Sequence, residues 1–178
     1  MTGLTIDKER KLWLAIHGSI REANTLLGSQ DQDKGGCFRL FLFREPWRGH
    51  IDLVEVYMRP WVGGYTNLAS KDKYYTYTFE KAIRLAQQFA LQGHVSAAQS
   101  ADPKTELWDG ASVAQCYIHD LGGSVFLMPS VSGWPAKVDA AIGLRTLQRM
   151  TDWQLDPASI AAVVAAGQND FAAKLLAM

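Results

Sequence analysis

The sequence predicts an α+β fold: a single domain over residues 1–178, in which two β-hairpins form an antiparallel sheet that helices cover. Three observations lead to this prediction. The chain is 48% hydrophobic and 20% charged, which is typical of a folded protein with an apolar core. Its apolar patterns follow the order α-β-β-α-β-β-α-α-α, so neighbouring strands are joined by short connections. The long crossover units that build a parallel sheet do not occur in this order.

The first half of the chain is predicted to contain a helix, a hairpin and a second helix. Its first apolar residues recur at three- and four-residue steps, as on one face of a helix. An almost continuously apolar run follows, typical of a strand covered on both faces, and then a run that alternates as in a half-buried strand. The expected elements are a helix that Asp7 caps and Gly28 ends, strands over Cys37–Arg44 and Ile51–Arg59, an irregular segment over 60–73, and a helix over 79–92 that Thr78 caps.

The second half is predicted to form another hairpin and a helical C-terminal segment. Two strand-like runs flank the turn Asp120-Leu121-Gly122-Gly123. The Ala- and Leu-rich face of the last segment fits burial inside the domain or dimerisation, and the sequence leaves both open. The expected elements are strands over 113–119 and 124–131, a helix that Pro135 opens, and a helical hairpin over 151–178 that packs on the rest of the domain.

The charge balance bears on the class of partner. The chain has 18 Lys and Arg against 18 Asp and Glu, and no segment forms a basic or acidic block. A protein held on nucleic acid mainly through phosphates needs a surplus of cations. A nucleic-acid partner is therefore an alternative that charge alone does not support, and a protein partner is favoured.

The sequence also predicts a compartment. It opens without an apolar run behind a basic start, and no stretch approaches the ~20 apolar residues that cross a bilayer. Cys37 and Cys116 lie within strand-like runs and outside any CxxC pair, as buried, reduced cysteines do. We expect a cytoplasmic protein with no membrane association, no metal and no cofactor.

Few residues form a pattern that supports catalysis. The sequence contains no Gly-Lys-Ser/Thr phosphate loop, no GxSxG and no HExxH. His50 and Asp52 share one strand face, which is the geometry of an oriented general base. Cys116 and His119 point to opposite strand faces, so a Cys-His pair would have to form across the sheet. These four residues are the weak candidates for an enzyme site.

One stretch resembles a known family. Asp109-Gly110-Ala111-Ser112-Val113-Ala114, with Leu121-Gly122 a few residues on, is similar to the Asp-Gly-x-His-Arg element of ParB/sulfiredoxin-like proteins. That superfamily includes nucleotide-hydrolysing proteins and some plasmid fertility-inhibition factors, so the resemblance implies a mobile-element factor. Ser112 and Val113 replace the His and Arg that act on phosphate. A β-hairpin explains the same residues, and we assign no family from them.

The main functional signal is tryptophan in predicted loops. The chain has six Trp, and Trp47, Trp61 and Trp134 each adjoin a proline. Trp, Tyr and Arg dominate binding hot spots because they bury a large area and keep a polar group, and proline lowers the entropy lost on docking. Two alternatives remain: the rings fold back as lids over the sheet ends, or they line a small-ligand pocket. The expected binding residues are Arg44, Trp47, Arg48, Tyr57, Arg59, Trp61, Tyr65 and Trp108.

These observations predict a non-enzymatic protein-binding protein, an inhibitor or adaptor that acts on a larger macromolecular assembly through its Trp/Pro/Arg loops. The alternative is a small enzyme or a nucleic-acid-associated protein that uses a His/Asp or Cys/His site. A degenerate ParB/sulfiredoxin-like mobile-element factor is one example of that alternative.

Overall fold

Five strands form one antiparallel sheet within residues 4–28, 33–100 and 109–178, which the computed structural model describes apart from the side chain of residue 120. The strand order across the sheet is β2-β1-β4-β3-β5, so one strand of each hairpin lies at the centre. This architecture confirms the predicted α+β fold. In chain order the strands are β1 (Gly35–Phe43), β2 (Val54–Gly63), β3 (Ala114–Ile118), β4 (Gly123–Ser132) and β5 (Gln154–Leu155).

Helices cover both faces of this sheet. The helix α2 packs on β1 and β4 from one side, whereas α1 and α3 cover the other face and α5 packs against α3. Among the described residues, no helix combines the length and the hydropathy that a bilayer crossing requires. The helices are α1 (Ile6–Leu27), α2 (Lys71–Gln92), α3 (Ala136–Arg149), α4 (Pro157–Ala166) and α5 (Asp170–Leu176).

The central strand β1 is buried at every position, as its continuous apolar run predicts. Successive side chains of a strand point to opposite faces. Leu40 and Leu42 therefore join the apolar cluster beneath α1 and α3, while Phe41 and Phe43 join the cluster beneath α2. Because its side chains enter both clusters, β1 joins the two halves of the core. Burial of each phenylalanine contributes about 1.5–3 kcal/mol to the free energy of folding.

The helix α2 begins earlier than the sequence predicts. It starts at Lys71, within the segment expected to be irregular, and the expected cap Thr78 lies buried inside it. The Thr78 hydroxyl donates to the carbonyl of Tyr75 at 2.9 Å, a bond that lets threonine lie within a helix. The first turns carry tyrosines in place of an aliphatic stripe, so the periodicity that marks a helix begins only at Phe79.

One end of the sheet carries both hairpin connections, residues 44–53 and 119–122, and is called the hairpin end below. Because β1 and β4 are antiparallel, the end of β1 lies beside the start of β4. Arg44 joins the two connections, since its Nη2 donates to the carbonyl of Leu121 at 3.0 Å.

The opposite end is called the glycine end. There Gly35 pairs with Gly63 at the outer part of the sheet, and β4 finishes at Ser132 just before α3 begins. The side chain of Asn67 joins these segments, because its Nδ2 donates to the carbonyls of Gly35 at 2.7 Å and Gly133 at 2.9 Å.

Candidate functional site

At the hairpin end, Trp47-Arg48-Gly49-His50 forms a closed turn, called the Trp47 turn below. The backbone N–H groups of Trp47 and His50 each donate to the other residue's carbonyl, both at 3.0 Å. Arg48 has φ 51° and Gly49 has φ 78°, so both central residues are left-handed, as in the two-residue turns that suit a hairpin's twist. Glycine adopts this backbone freely and arginine does not, so the two closing hydrogen bonds hold Arg48 in a conformation that it disfavours.

The ring of Trp47 is 70% exposed, a large value for an indole. The guanidinium carbon of Arg48 lies 4.4 Å from the ring centroid, a cation–π distance. The two side chains therefore form an ordered, solvent-facing pair of the two residue types that dominate binding hot spots.

Arg44 lies beside this turn at the hairpin end, whereas the predicted residues on β2 and beyond it do not form one surface with the turn. Arg59 lies on β2, where its Nε donates to the hydroxyl of buried Tyr57 at 2.9 Å. Trp61 lies at the glycine end, half-buried, with its indole N–H donating to the carbonyl of Gly64 at 2.8 Å. Tyr65 is 74% exposed beyond the end of β2. The predicted Trp108 lies outside the described residues.

The candidate catalytic residues are also dispersed. His50 and Asp52 are exposed at the hairpin end, and within the described residues no hydrogen bond or ion pair joins them. His119 is exposed in the other connection. Burial raises the pKa of the Cys116 thiol to about 12, so this cysteine is a neutral, enclosed group at physiological pH. In the described part of the chain, no three His, Cys, Asp or Glu side chains form a group that suits a metal ion.

The glycine end holds a polar cluster that the sequence analysis missed. The Nζ of Lys81 on α2 lies 3.3 Å from Oδ2 of Asp139 on α3, and both side chains are almost fully buried. The same Nζ donates to the carbonyl of Val131 at 3.0 Å and lies 3.5 Å from the hydroxyl of Ser132. This ion pair joins α2 and α3 at the end of β4.

The second carboxylate oxygen of Asp139 accepts the backbone N–H of Trp134 at 2.9 Å. The residue before α3 is Pro135, whose ring carries no capping oxygen, so Asp139 reaches back and orders the helix start in its place. Burial raises the pKa of the Asp139 carboxyl from the ordinary 3.8 to about 7, and the charge of nearby Asp109 acts in the same direction. The Lys81 ammonium and the Trp134 N–H oppose this increase.

One sequence signal pointed to this cluster. Lys81 lies between Thr78 and Leu85 on the stripe of α2 that the apolar residues define, where a lysine faces the interior. A lysine among buried positions needs a partner of opposite charge. The identity of that partner depends on the fold, because Asp139 follows 58 residues later.

Comparisons with known protein families, with characterised proteins and with solved structures found no match. The segment that resembles the ParB/sulfiredoxin-like element runs beside β4, where the Val131 N–H donates to the carbonyl of Gly110 at 2.9 Å. Its Asp109 and Ser112 are buried. The functional interpretation therefore depends on the two ends of the sheet themselves.

Proposed function

We propose that this protein binds another protein, as an inhibitor or adaptor, and that the Trp47 turn is its anchor. The observation that carries the proposal is the 70% exposure of Trp47 on a closed turn. An isolated solvent-facing indole is costly to hydrate and gains most when a partner's pocket covers it.

The gain from covering Trp47 is sufficient for a hot spot. A tryptophan side chain has roughly 200 Å² of surface, so removal of its exposed part from water contributes about 3 kcal/mol at ~25 cal/mol per Å². The closed turn and the cation–π contact order Trp47 before binding, which lowers the entropy lost on docking.

The charged residues around the turn balance one another, so we expect the partner to recognise Trp47 through an apolar pocket. Arg44 and Arg48 are balanced by Glu45 and Asp52, and all four are exposed. Stacking of Trp47 and Arg48 on single-stranded bases is the alternative use of the same residues, but it needs a positive groove that follows the strand. We therefore propose a protein partner, and a nucleic acid is an outcome that the experiment distinguishes.

The test has two steps. Affinity capture followed by mass spectrometry identifies bound proteins, and titration of the purified partner then gives dissociation constants for the wild type, Trp47→Ala and Leu91→Ala. Leu91 is the control for loss of an exposed apolar side chain, because it is 74% exposed and lies on α2 and not in the turn. We expect Trp47→Ala to weaken binding by about 100-fold, which corresponds to ~3 kcal/mol, and Leu91→Ala to leave it unchanged.

Equal binding by wild type and Trp47→Ala would contradict the proposal. Binding of an oligonucleotide that weakens steeply with added salt would instead favour the nucleic-acid alternative.

A further inference from the structure

A pocket of about 180 Å³ opens beside Lys81 and Asp139, between the first turns of α2 and the start of α3. Liquid water occupies ~30 Å³ per molecule, so this volume equals roughly six waters. Pockets for drug-sized molecules begin near 300 Å³, so this pocket fits a ligand with one ring.

Three aromatic residues line this pocket: Tyr74 and Tyr77 on α2, and Trp134 before α3. The Trp134 ring is held in place by its surroundings. Its indole N–H donates to Oδ1 of Asn24 at 3.1 Å, and a Cβ on Gly36 would approach its Cζ3 to 2.8 Å. A fixed aromatic wall stacks best with a planar ligand.

The pocket offers hydrogen-bond donors to a ligand, whereas its one carboxylate is already in use. Both carboxylate oxygens of Asp139 already accept, from Lys81 and from Trp134. Within the described residues, the Ser132 hydroxyl accepts from Lys81 and donates to no protein group. The backbone N–H of Ala136 is in the first turn of α3, where no intrahelical acceptor exists.

The charged side chains that line the pocket carry a net positive charge, which also favours an anionic ligand. Lys73 and Lys81 face one carboxylate, Asp139. Lys73 lies at the outer side, with its Nζ 5.3 Å from the ring centroid of Tyr77. The pocket therefore combines donors, an excess of positive charge and flat apolar walls.

We propose that this pocket binds a small planar acid, namely one aromatic or heteroaromatic ring that carries one carboxylate. The ring lies among Tyr74, Tyr77 and Trp134, and the carboxylate accepts from Ser132 and takes its counter-charge from Lys73 and Lys81. While the pocket is empty, the buried carboxylate of Asp139 holds the Lys81 ammonium in position and provides its counter-charge. This site is independent of the Trp47 turn, which lies at the other end of the sheet.

The direct test is a titration of ¹⁵N-labelled protein with sodium benzoate at neutral pH, followed by amide and indole N–H chemical shifts. We expect saturable shifts at Ser132, Trp134 and Ala136, with a dissociation constant in the millimolar range or below. Benzyl alcohol and benzylamine keep the ring and lack the carboxylate, and inorganic phosphate keeps the negative charge and lacks the ring. Each should bind at least about tenfold more weakly than benzoate, because each loses one of the two recognition elements.

Two variants test the assigned donors without removing the buried ion pair. Ser132→Ala and Lys73→Gln should each weaken benzoate binding by about three- to tenfold, the range for loss of one hydrogen bond or one nearby charge. Lys71→Gln is the matched control, an exposed lysine on the same helix that does not line the pocket. It should bind as the wild type does.

The double variant Lys81→Met/Asp139→Leu replaces the ion pair with apolar side chains of similar size, an exchange that buried pairs often tolerate. If folded, as its circular dichroism will show, it should lose benzoate binding. Absence of saturable benzoate shifts in the wild type, equal binding of benzyl alcohol or phosphate, or shifts confined to other residues would each overturn the proposal.

Discussion

Two tryptophans with a neighbouring proline have opposite environments in this protein. Trp47 is 70% exposed at the hairpin end, whereas Trp134 is 6% exposed at the glycine end. The difference lies in the backbone that faces each ring. Gly36 and Gly63 leave space for Trp134, because a Cβ on either would lie within 3.3 Å of its ring. Beside Trp47, a Cβ built on Gly49 would meet no described atom within 4 Å.

In this protein the ring of Trp134 is buried because glycines on neighbouring strands leave room for it. The predicted lid interpretation holds for Trp134 and also for Trp153, which is 4% exposed. The predicted binding interpretation remains a proposal, and Trp47 is the tryptophan whose geometry supports it.

The largest expected effect is the difference in the free energy of unfolding between variants that lack the Trp134 ring and variants that lack the Trp47 ring. Trp134→Ala should lower the free energy of unfolding by about 3–5 kcal/mol, because it leaves a cavity and removes the hydrogen bond to Asn24. Trp47→Ala should change it by less than about 0.5 kcal/mol, as exposed positions do. Urea denaturation of both variants measures the difference. Similar losses in the two variants would show that Trp47 also belongs to the core.

A smaller effect concerns the pH dependence of the glycine end. The folded-state pKa of Asp139 is raised, to about 7, above its ordinary 3.8, so the folded protein binds a proton more tightly than the unfolded chain. This contribution to stability is fully present below about pH 3.8 and is lost as the pH rises through about 7.

The measurement compares the free energy of unfolding of wild type and Asp139→Asn across this pH range. The variant titrates no proton at residue 139, so the wild type should lose more stability than Asp139→Asn between about pH 4 and 7. Parallel curves for the two proteins would contradict the raised pKa.

The smallest expected effect concerns the backbone of the Trp47 turn. Arg48 has φ 51°, which asparagine tolerates better than arginine, and Asn-Gly is the preferred pair in such a turn. Arg48→Asn should therefore raise the free energy of unfolding by about 0.5 kcal/mol and remove the cation above Trp47. Thermal denaturation with the partner titration separates the two consequences. A loss of stability would show that the cation–π contact outweighs the backbone strain.

Local patterns account for the parts of the fold that the sequence predicted. The continuous apolar run of β1 and the glycines near the β3–β4 connection are features of neighbouring residues, and these elements formed close to where they indicated. The strand β2 begins at Val54 and continues to Gly63, so it extends into the segment that was expected to be irregular. The start of α2 was missed because Tyr74, Tyr75 and Tyr77 do not present an aliphatic stripe. The short β5 was missed because it pairs at only two positions, Gln154 and Leu155.

The same distinction between local and long-range features applies to the two candidate sites. The sequence placed Trp47 in a short loop and left open whether its ring is exposed or packed as a lid, and the structure shows it 70% exposed. The ion pair of Lys81 and Asp139 joins residues 58 positions apart, and the pocket beside it also needs Trp134 to be packed over glycines of other strands. Such long-range packing is decided by the assembled fold, so neither the pocket nor its net charge is visible in any local segment.

The most direct test of the account is a paired measurement on Trp47→Ala: its free energy of unfolding and its affinity for the captured partner protein. We expect unfolding within about 0.5 kcal/mol of wild type and an affinity about 100-fold weaker, because the exposed ring contributes to recognition and little to the core. A variant that loses stability by more than about 2 kcal/mol, or that binds the partner as the wild type does, would contradict the central claim.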